Sequence, residues 1–298
     1  NLLLVALCLT VLWGVLFPIV TQLVKGEART IGRPYFDFFL RSFGLPLLLL
    51  MGIGPLIAWR RSSPKALGRV IAWPAAFAVA VGAGLVAAGA GSSKPGLIAY
   101  TFSAFVLGTI GVELFRGTRA TGSLFRLISR NRRRYGGYVV HAAVVLLAIG
   151  IAGSSAFGHS VERRLALGQS MTVDGYTLTN RGVRVRDTAN AIETRAILAV
   201  KGRYNGTIES GDNQYFNPPE PSRQVGIKTD WFRAQDLYVI VDETDPKTQV
   251  IHTQVLVKPL VNLIWIGGIV FLLGSGIAVW PDAREQKRLV TRLAPARA

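Results

Sequence analysis

Apolar residues fall into long unbroken runs over most of this chain and alternate with polar ones in a single stretch. The runs lie at about Leu2–Leu23, Phe38–Trp59, Val70–Ala90, Leu97–Phe115, Tyr138–Ala156 and Leu260–Trp280. Each is close to the roughly 20 residues that a helix needs to cross a bilayer core. Between the fifth and sixth runs the period shortens. "YTLTNRGVRVR" from Tyr176 alternates imperfectly, and "RAILAVKGRYNGTIES" reads as a strand followed by the hairpin signal Asn205–Gly206. "DLYVIVDE" at Asp236–Glu243 and "TQVIHTQVLVKP" at Thr248–Pro259 flank a "TDPKT" turn, whereas Pro-rich "QYFNPPEPSRQ" at Gln214–Gln224 predicts an irregular loop. The pattern predicts a polytopic α-helical membrane protein of about six transmembrane helices, with a β-rich extracytoplasmic domain (a small antiparallel sheet or sandwich) inserted before the last helix. The expected divisions are residues 1–156 for helices one to five, 157–258 for the β domain, 259–281 for the last helix and 282–298 for a basic tail.

Charge supplies the orientation. The net charge of +17 would also fit a nucleic-acid binder, so its location decides. Residues 155–258 hold 13 basic and 12 acidic residues, which leaves 21 basic and five acidic residues elsewhere, mainly in short segments between apolar runs. That is the pattern of positive-inside loops, and no nucleic-acid partner is expected. Arg60–Arg69 carries Arg60, Arg61, Lys65 and Arg69; Arg116–Arg134 carries seven arginines and no acid; the tail carries Arg284, Lys287, Arg288, Arg292 and Arg297. If every run spans, these segments share one side, the cytoplasmic one, and the β domain lies outside. The third run is rich in Ala and Gly, suited to close helix packing. Trp59, Trp73 and Trp280 stand at run ends, as interfacial anchors do. No inverted internal repeat of the transporter kind is visible.

Cys8 is the one cysteine, so neither an internal disulfide nor a CxxC pair exists. Asn1 enters an apolar stretch with no basic region before it, which argues against a signal peptide and predicts a piece of a longer polypeptide. Hydrolase, nucleotide-binding and dehydrogenase motifs are absent.

Ionisable groups at membrane depth are costly and therefore call for a functional account. His141, in "RRRYGGYVVHAAVVLLAIGI", lies about seven residues past Arg134, roughly 10 Å inward at 1.5 Å per residue. A neutral imidazole there is an axial haem-iron ligand or a hydrogen-bonding partner across a helix interface, and position alone divides these evenly. Gly136 and Gly137 leave room for a planar group or a close helix. His159 is expected at the outer end of span five as a solvated residue, and His252 on a strand's surface face with Val250 and Gln254. Glu113 is expected to form an interfacial ion pair, with Arg116 and Arg119 one to two turns away. Arg41 either snorkels or meets an anionic ligand such as a propionate. The external "GRPYFDFF" loop, Gly32–Phe39, suits a haem or lipid face or an interfacial anchor.

Four segments in order resemble the C-terminal half of CcmF, the membrane haem lyase component of cytochrome c maturation, or its relative dedicated to nitrite-reductase maturation. They are "FPIVTQLVKGEARTIGRPYFDFF", "NRRRYGGYVVHAAVVLLAIGIAGS", "DLYVIV" and "VKPLVNLIWIGGIVFLLGSGIAVWP". The resemblance implies a protein of the bacterial inner membrane with its soluble domain periplasmic and its C-terminus cytoplasmic. It implies an internal haem b, with electrons thought to come from quinol, and haem also as the transferred substrate. Haem would be received from a CcmE-type chaperone and joined, with a CcmH-type thiol subunit, to an apocytochrome c. His141 matches the family's later ligand to the internal haem. The Trp-rich "WWD" signature is missing, since none of Trp13, Trp59, Trp73, Trp231, Trp265 and Trp280 lies in such a run. An N-terminal half or partner subunit carrying that region is therefore implied. "PPEPSR" at Pro218–Arg223 also departs from the family's "PEKR". On the residues alone, a transporter of haem or another hydrophobic anion and a non-haem assembly scaffold stay open.

Overall fold

The computed structural model describes residues 1–56, 64–217, 219 and 221–280. Trp59, the basic loop from Arg60 with Arg61 and most of the segment to Arg69, Pro218 and the C-terminal tail lie outside the described residues or carry no described side chain. The chain forms two units: Asn1–Ala152 together with the chain from Trp265 onward, and Gly153–Ile264.

Among the described residues, six helices in the first unit are long and apolar enough to cross a membrane. They are α1 (Leu2–Lys25), the composite Arg33–Leu56, α4 (Pro64–Ala87, apolar from Val70), α5 (Lys94–Thr121), α7 (Arg132–Ala156) and α8 (Asn262–Val279). The composite comprises α2 (Arg33–Phe39), one π-helical turn at Leu40–Gly44, α3 (Leu45–Ile53) and a 3-10 turn at Gly54–Leu56. Pro34 at its first turn removes an N–H that would have no partner in any case, so the helix starts readily there. Most of the expected external loop Gly32–Phe39 is thus helical, and the second span begins at Arg33 instead of Phe38. Polar Arg33 and Asp37 hid this start from a hydropathy count, although they are spaced to pair along a helix at 3.4 Å. The arginine-rich segment is not a plain loop either. It holds a short helix, α6 (Leu124–Arg130), and the first turn of α7.

The centre of this unit is α5. Val106 and Ile110 pack with Leu48 of α3 and with Tyr135, Tyr138 and Val145 of α7, while Ala104 and Phe105 pack with Ala78 of α4. Small residues permit these approaches: a Cβ on Gly52 would meet Phe105 at 2.7 Å, and one on Gly82 would meet Thr101 at 2.9 Å. α7 and α8 come closer still. A Cβ on Gly136 would meet the backbone of Ala278 at 2.6 Å, and one on Gly274 the backbone of Val140 at 2.8 Å.

The second unit is an antiparallel β sandwich. Strands β1 (His159–Leu165), β2 (Ser170–Val173), β3 (Tyr176–Asp187), β4 (Ala191–Gly202), β5 (Gly206–Tyr215), β6 (Pro221–Gln224), β7 (Gly226–Asp230), β8 (Gln235–Asp245) and β9 (Val250–Pro259) form sheets ordered β1-β9-β8-β7 and β2-β3-β4-β5-β6. Alternate residues such as Leu178, Leu198 and Val200 on one sheet and Leu237, Val239, Val255 and Val257 on the other make one buried core. The imperfect alternation in β3 is a bulge between Asn180 and Val183, where Gly182 takes φ 119°. Pro221–Gln224, expected to be irregular, pairs with β5 as an edge strand, where proline is tolerated. The β4–β5 hairpin exists, but its strands are joined by the three residues Arg203–Asn205, the last β4–β5 pair being Val200 with Gly206, and not by a two-residue Asn-Gly turn. Gly202 at φ 112° reverses the chain there, and Asn205 Oδ1 accepts from Gly202 N–H at 3.1 Å.

Candidate functional site

His141 sits in the middle of α7, half-buried. Tyr138 and Val145, about one turn to either side, are buried against α5, and Gly136 faces α8. His141 Nδ1 is buried, yet it has no hydrogen-bond partner among the described residues. A buried polar nitrogen left without a partner costs on the order of 1–3 kcal/mol, so an isolated chain would not retain it for stability. Gly137, one turn before His141, faces open space, since a Cβ built on it would meet nothing within 4 Å. An imidazole nitrogen unpartnered among the described residues is a donor of the kind that coordinates haem iron. The bond that a helix-interface histidine would make from Nδ1 is not found among the described residues.

A polar latch lies two turns below. Arg134 Nη2 donates to Glu113 Oε2 at 2.5 Å, Arg134 Nε donates to Tyr138 Oη at 3.0 Å, and Tyr138 Oη lies 3.4 Å from the same carboxylate oxygen. Glu113 is thus paired across to α7; sequence spacing had pointed to Arg116 and Arg119 on its own helix. Ser103 in α5 is another group that the sequence reading missed, with a buried hydroxyl lacking a partner among the described residues. No sequence signal distinguishes it from a serine bonded to its own helix.

Arg41 lies in the π-helical turn, exposed, with Nη2 3.8 Å from Asp37 Oδ2, a carboxylate that Arg33 shares. No described hydrogen bond or ion pair joins it to His141. His159 is exposed at the start of β1, with Nδ1 3.5 Å from Asp174. His252 is on the expected face of β9 but is more engaged than a free surface residue, with Nε2 2.9 Å from Glu162 Oε1. A bulge between Val241 and Glu243 turns Asp242 toward the same place, and ligand atoms of Glu162, Asp242 and His252 lie within 4.8 Å of one another. Arg223 donates to Asp242 at 2.6 Å, so this group reads as a surface ion-pair cluster.

No family model matches the chain. Among curated proteins, it is 28% identical over 303 residues to the cytochrome c-type biogenesis protein CcmF of Pseudomonas fluorescens, covering 99% of this chain and 44% of that protein. It is 29% identical over 300 residues to the cytochrome c-type biogenesis protein CycK of Rhizobium meliloti, covering 95% and 42%. A solved structure of the cytochrome c haem lyase CcmF superposes with a TM-score of 0.71 at 25% identity, over 94% of this chain and 44% of that one. The chain is homologous to CcmF-type cytochrome c biogenesis proteins. It spans less than half the length of the relatives that it matches. The superposed 94% of this chain takes in both its membrane-spanning helices and its β domain.

Proposed function

We propose that this chain forms one part of a CcmF-type haem lyase and holds an internal b-type haem through His141. The observation that carries the reading is the buried, unpartnered Nδ1 of His141 beside open Gly137, in a chain that matches CcmF along nearly its whole length. A bound internal haem would supply a reversible one-electron couple. His141 would offer one ring nitrogen to the iron and leave the other for an acceptor. Packing of Tyr138 and Val145 against α5 fixes that face of α7, and the Arg134–Glu113 latch ties the same two helices together two turns away. Arg41 is the cation that we assign to a propionate, its attachment to Asp37 being shared with Arg33.

In this reading haem is also the substrate. A cysteine S–H of an apocytochrome c adds across a vinyl group: a carbon–sulfur bond forms, the proton goes to the neighbouring vinyl carbon, and no oxidant is consumed. This chain contributes one wall that positions the reactants. The remaining components are an N-terminal half or subunit carrying the Trp-rich region, a CcmE-type haem chaperone, a CcmH-type thiol subunit and a quinol electron source. The seven arginines from Arg116 to Arg134 support a cytoplasmic face for that segment, hence a periplasmic β domain and a cytoplasmic C-terminus in the bacterial inner membrane.

The test is the reduced-minus-oxidised optical spectrum of the detergent-purified protein, produced with the missing portion of its relatives, compared with His141→Ala. A b-type signal lost in a variant with unchanged thermal unfolding is the expected result. An unchanged signal removes His141 as ligand, and no haem in either protein turns the reading to a scaffold or transporter.

A further inference from the structure

One end of the β sandwich carries an unusual turn. Residues 231–234 connect β7 to β8, and their two aromatic side chains are not packed: Phe232 is fully exposed and Trp231 is 61% exposed. Asp230 Oδ1 accepts from the backbone N–H groups of Phe232 and Arg233, both at 3.1 Å, so the turn is built to present them. The same turn is bonded to the chain leading into α8. Leu260 N–H donates to Ala234 O at 2.5 Å, and Asn262 Nδ2 donates to Asp230 O at 3.4 Å. Asn262 is the first residue of an apolar helix long enough to span a membrane, so the turn is hydrogen-bonded to the residue at which that helix begins.

The turn also borders a cleft of about 370 Å³ whose lining includes Arg203, Lys228 and Arg233 against Asp230. Arg203 lies 3.9 Å from Asp174 and Arg233 4.0 Å from Asp230, while Lys228 Nζ sits over the Tyr204 ring at 4.6 Å. Cationic groups beside two projecting aromatic rings suit an amphiphilic anion at a membrane surface. Aromatic rings favour the headgroup layer, and clustered Lys and Arg are attracted to anionic lipid. We propose that the Trp231–Phe232 turn is a second membrane anchor of the β domain, inserting into the leaflet on the domain's own side while the Arg203–Lys228–Arg233 cleft takes an anionic phospholipid headgroup.

The test uses the full chain in liposomes with Cys8→Ser, so that a single cysteine introduced by Phe232→Cys carries a nitroxide. Lys247→Cys is the comparison, because it lies in the turn at the other end of β8, about 30 Å away by strand length. In vesicles containing phosphatidylglycerol, position 232 should collide with oxygen several-fold more than with an aqueous nickel chelate, relative to position 247. Removing the anionic lipid, or adding Lys228→Glu with Arg233→Glu, should return position 232 toward the aqueous value. Equal aqueous accessibility at 232 and 247 overturns the proposal. So does shielding of 232 from both quenchers, which signals a protein partner, or indifference to phosphatidylglycerol.

Discussion

Arg134 on α7 and Glu113 on α5 share a charge-assisted hydrogen bond that also draws in the Tyr138 hydroxyl, joining two helices through one three-residue latch. Glu113 is mostly buried and Arg134 about half exposed, so solvent screens part of the interaction. Glu113→Gln should lower stability by about 1–2 kcal/mol, less than a fully buried ion pair would. Thermal unfolding of Glu113→Gln, Arg134→Gln and the double variant in detergent checks this. Additive losses would show that the two side chains do not act together.

Two adjacent glycines on α7 should respond oppositely. Gly136→Val drives atoms into the backbone of Ala278 and should cost about 1–3 kcal/mol with loss of α7–α8 packing. Gly137→Ala meets nothing and should leave unfolding unchanged within about 0.5 kcal/mol. Comparable losses at both positions would refute this contrast, since helix propensity favours both Val and Ala over Gly and cannot produce a loss at Gly137.

Asn180 is wholly buried and serves three backbone groups. Its Nδ2 donates to Leu165 O at 3.0 Å and to Gln249 O at 2.9 Å, and its Oδ1 accepts from Gly182 N–H at 2.9 Å. Asn180→Leu strands all three and should destabilise the sandwich by roughly 2–4 kcal/mol. Asn180→Asp loses both donated bonds and places a carboxylate among carbonyls, so it should be at least as harmful. Denaturant unfolding of the β domain within the full protein measures both.

Burial pushes the Asp236 carboxyl above the ordinary aspartate value of 3.8, with bonds from Thr229 and Tyr238 partly opposing. The folded domain therefore holds this proton more tightly than the unfolded chain. Its contribution favours folding below about pH 3.8 and is lost as pH rises through the higher folded value. Asp245 acts in the opposite sense, its pKa held low chiefly by the Thr248 hydroxyl, so its support fades as pH falls. Asp236→Asn should accordingly gain stability over wild type at neutral pH, and the gain should shrink on acidification. Unfolding of both proteins at several pH values tests this; a constant difference would refute it.

The fold was legible where one physical demand governs a whole segment. A helix in hydrocarbon must be apolar along its entire length, so hydropathy alone located the six spans, and the charge of the connecting segments could be read beside them. Alternation marked β8 and β9 for the same reason, since each strand has one face in the core. Legibility failed where short segments take their state from neighbours. Arg33–Phe39 looks polar enough for a loop but continues a helix, and Pro221–Gln224 becomes a strand only because β5 offers it an edge.

The site divides along the same line. Sequence by itself singled out His141, because an ionisable residue amid apolar ones is conspicuous at any depth, and four ordered segments carried the CcmF resemblance that the comparisons bear out. It could not say that Nδ1 goes unpartnered, that Gly137 is open while Gly136 is closed, or that Glu113 reaches Arg134 instead of its own helix neighbours. Each of these depends on which helix face meets which neighbour. Helical periodicity defines the faces of one helix, but only packing against α5 and α8 decides what each face of α7 meets.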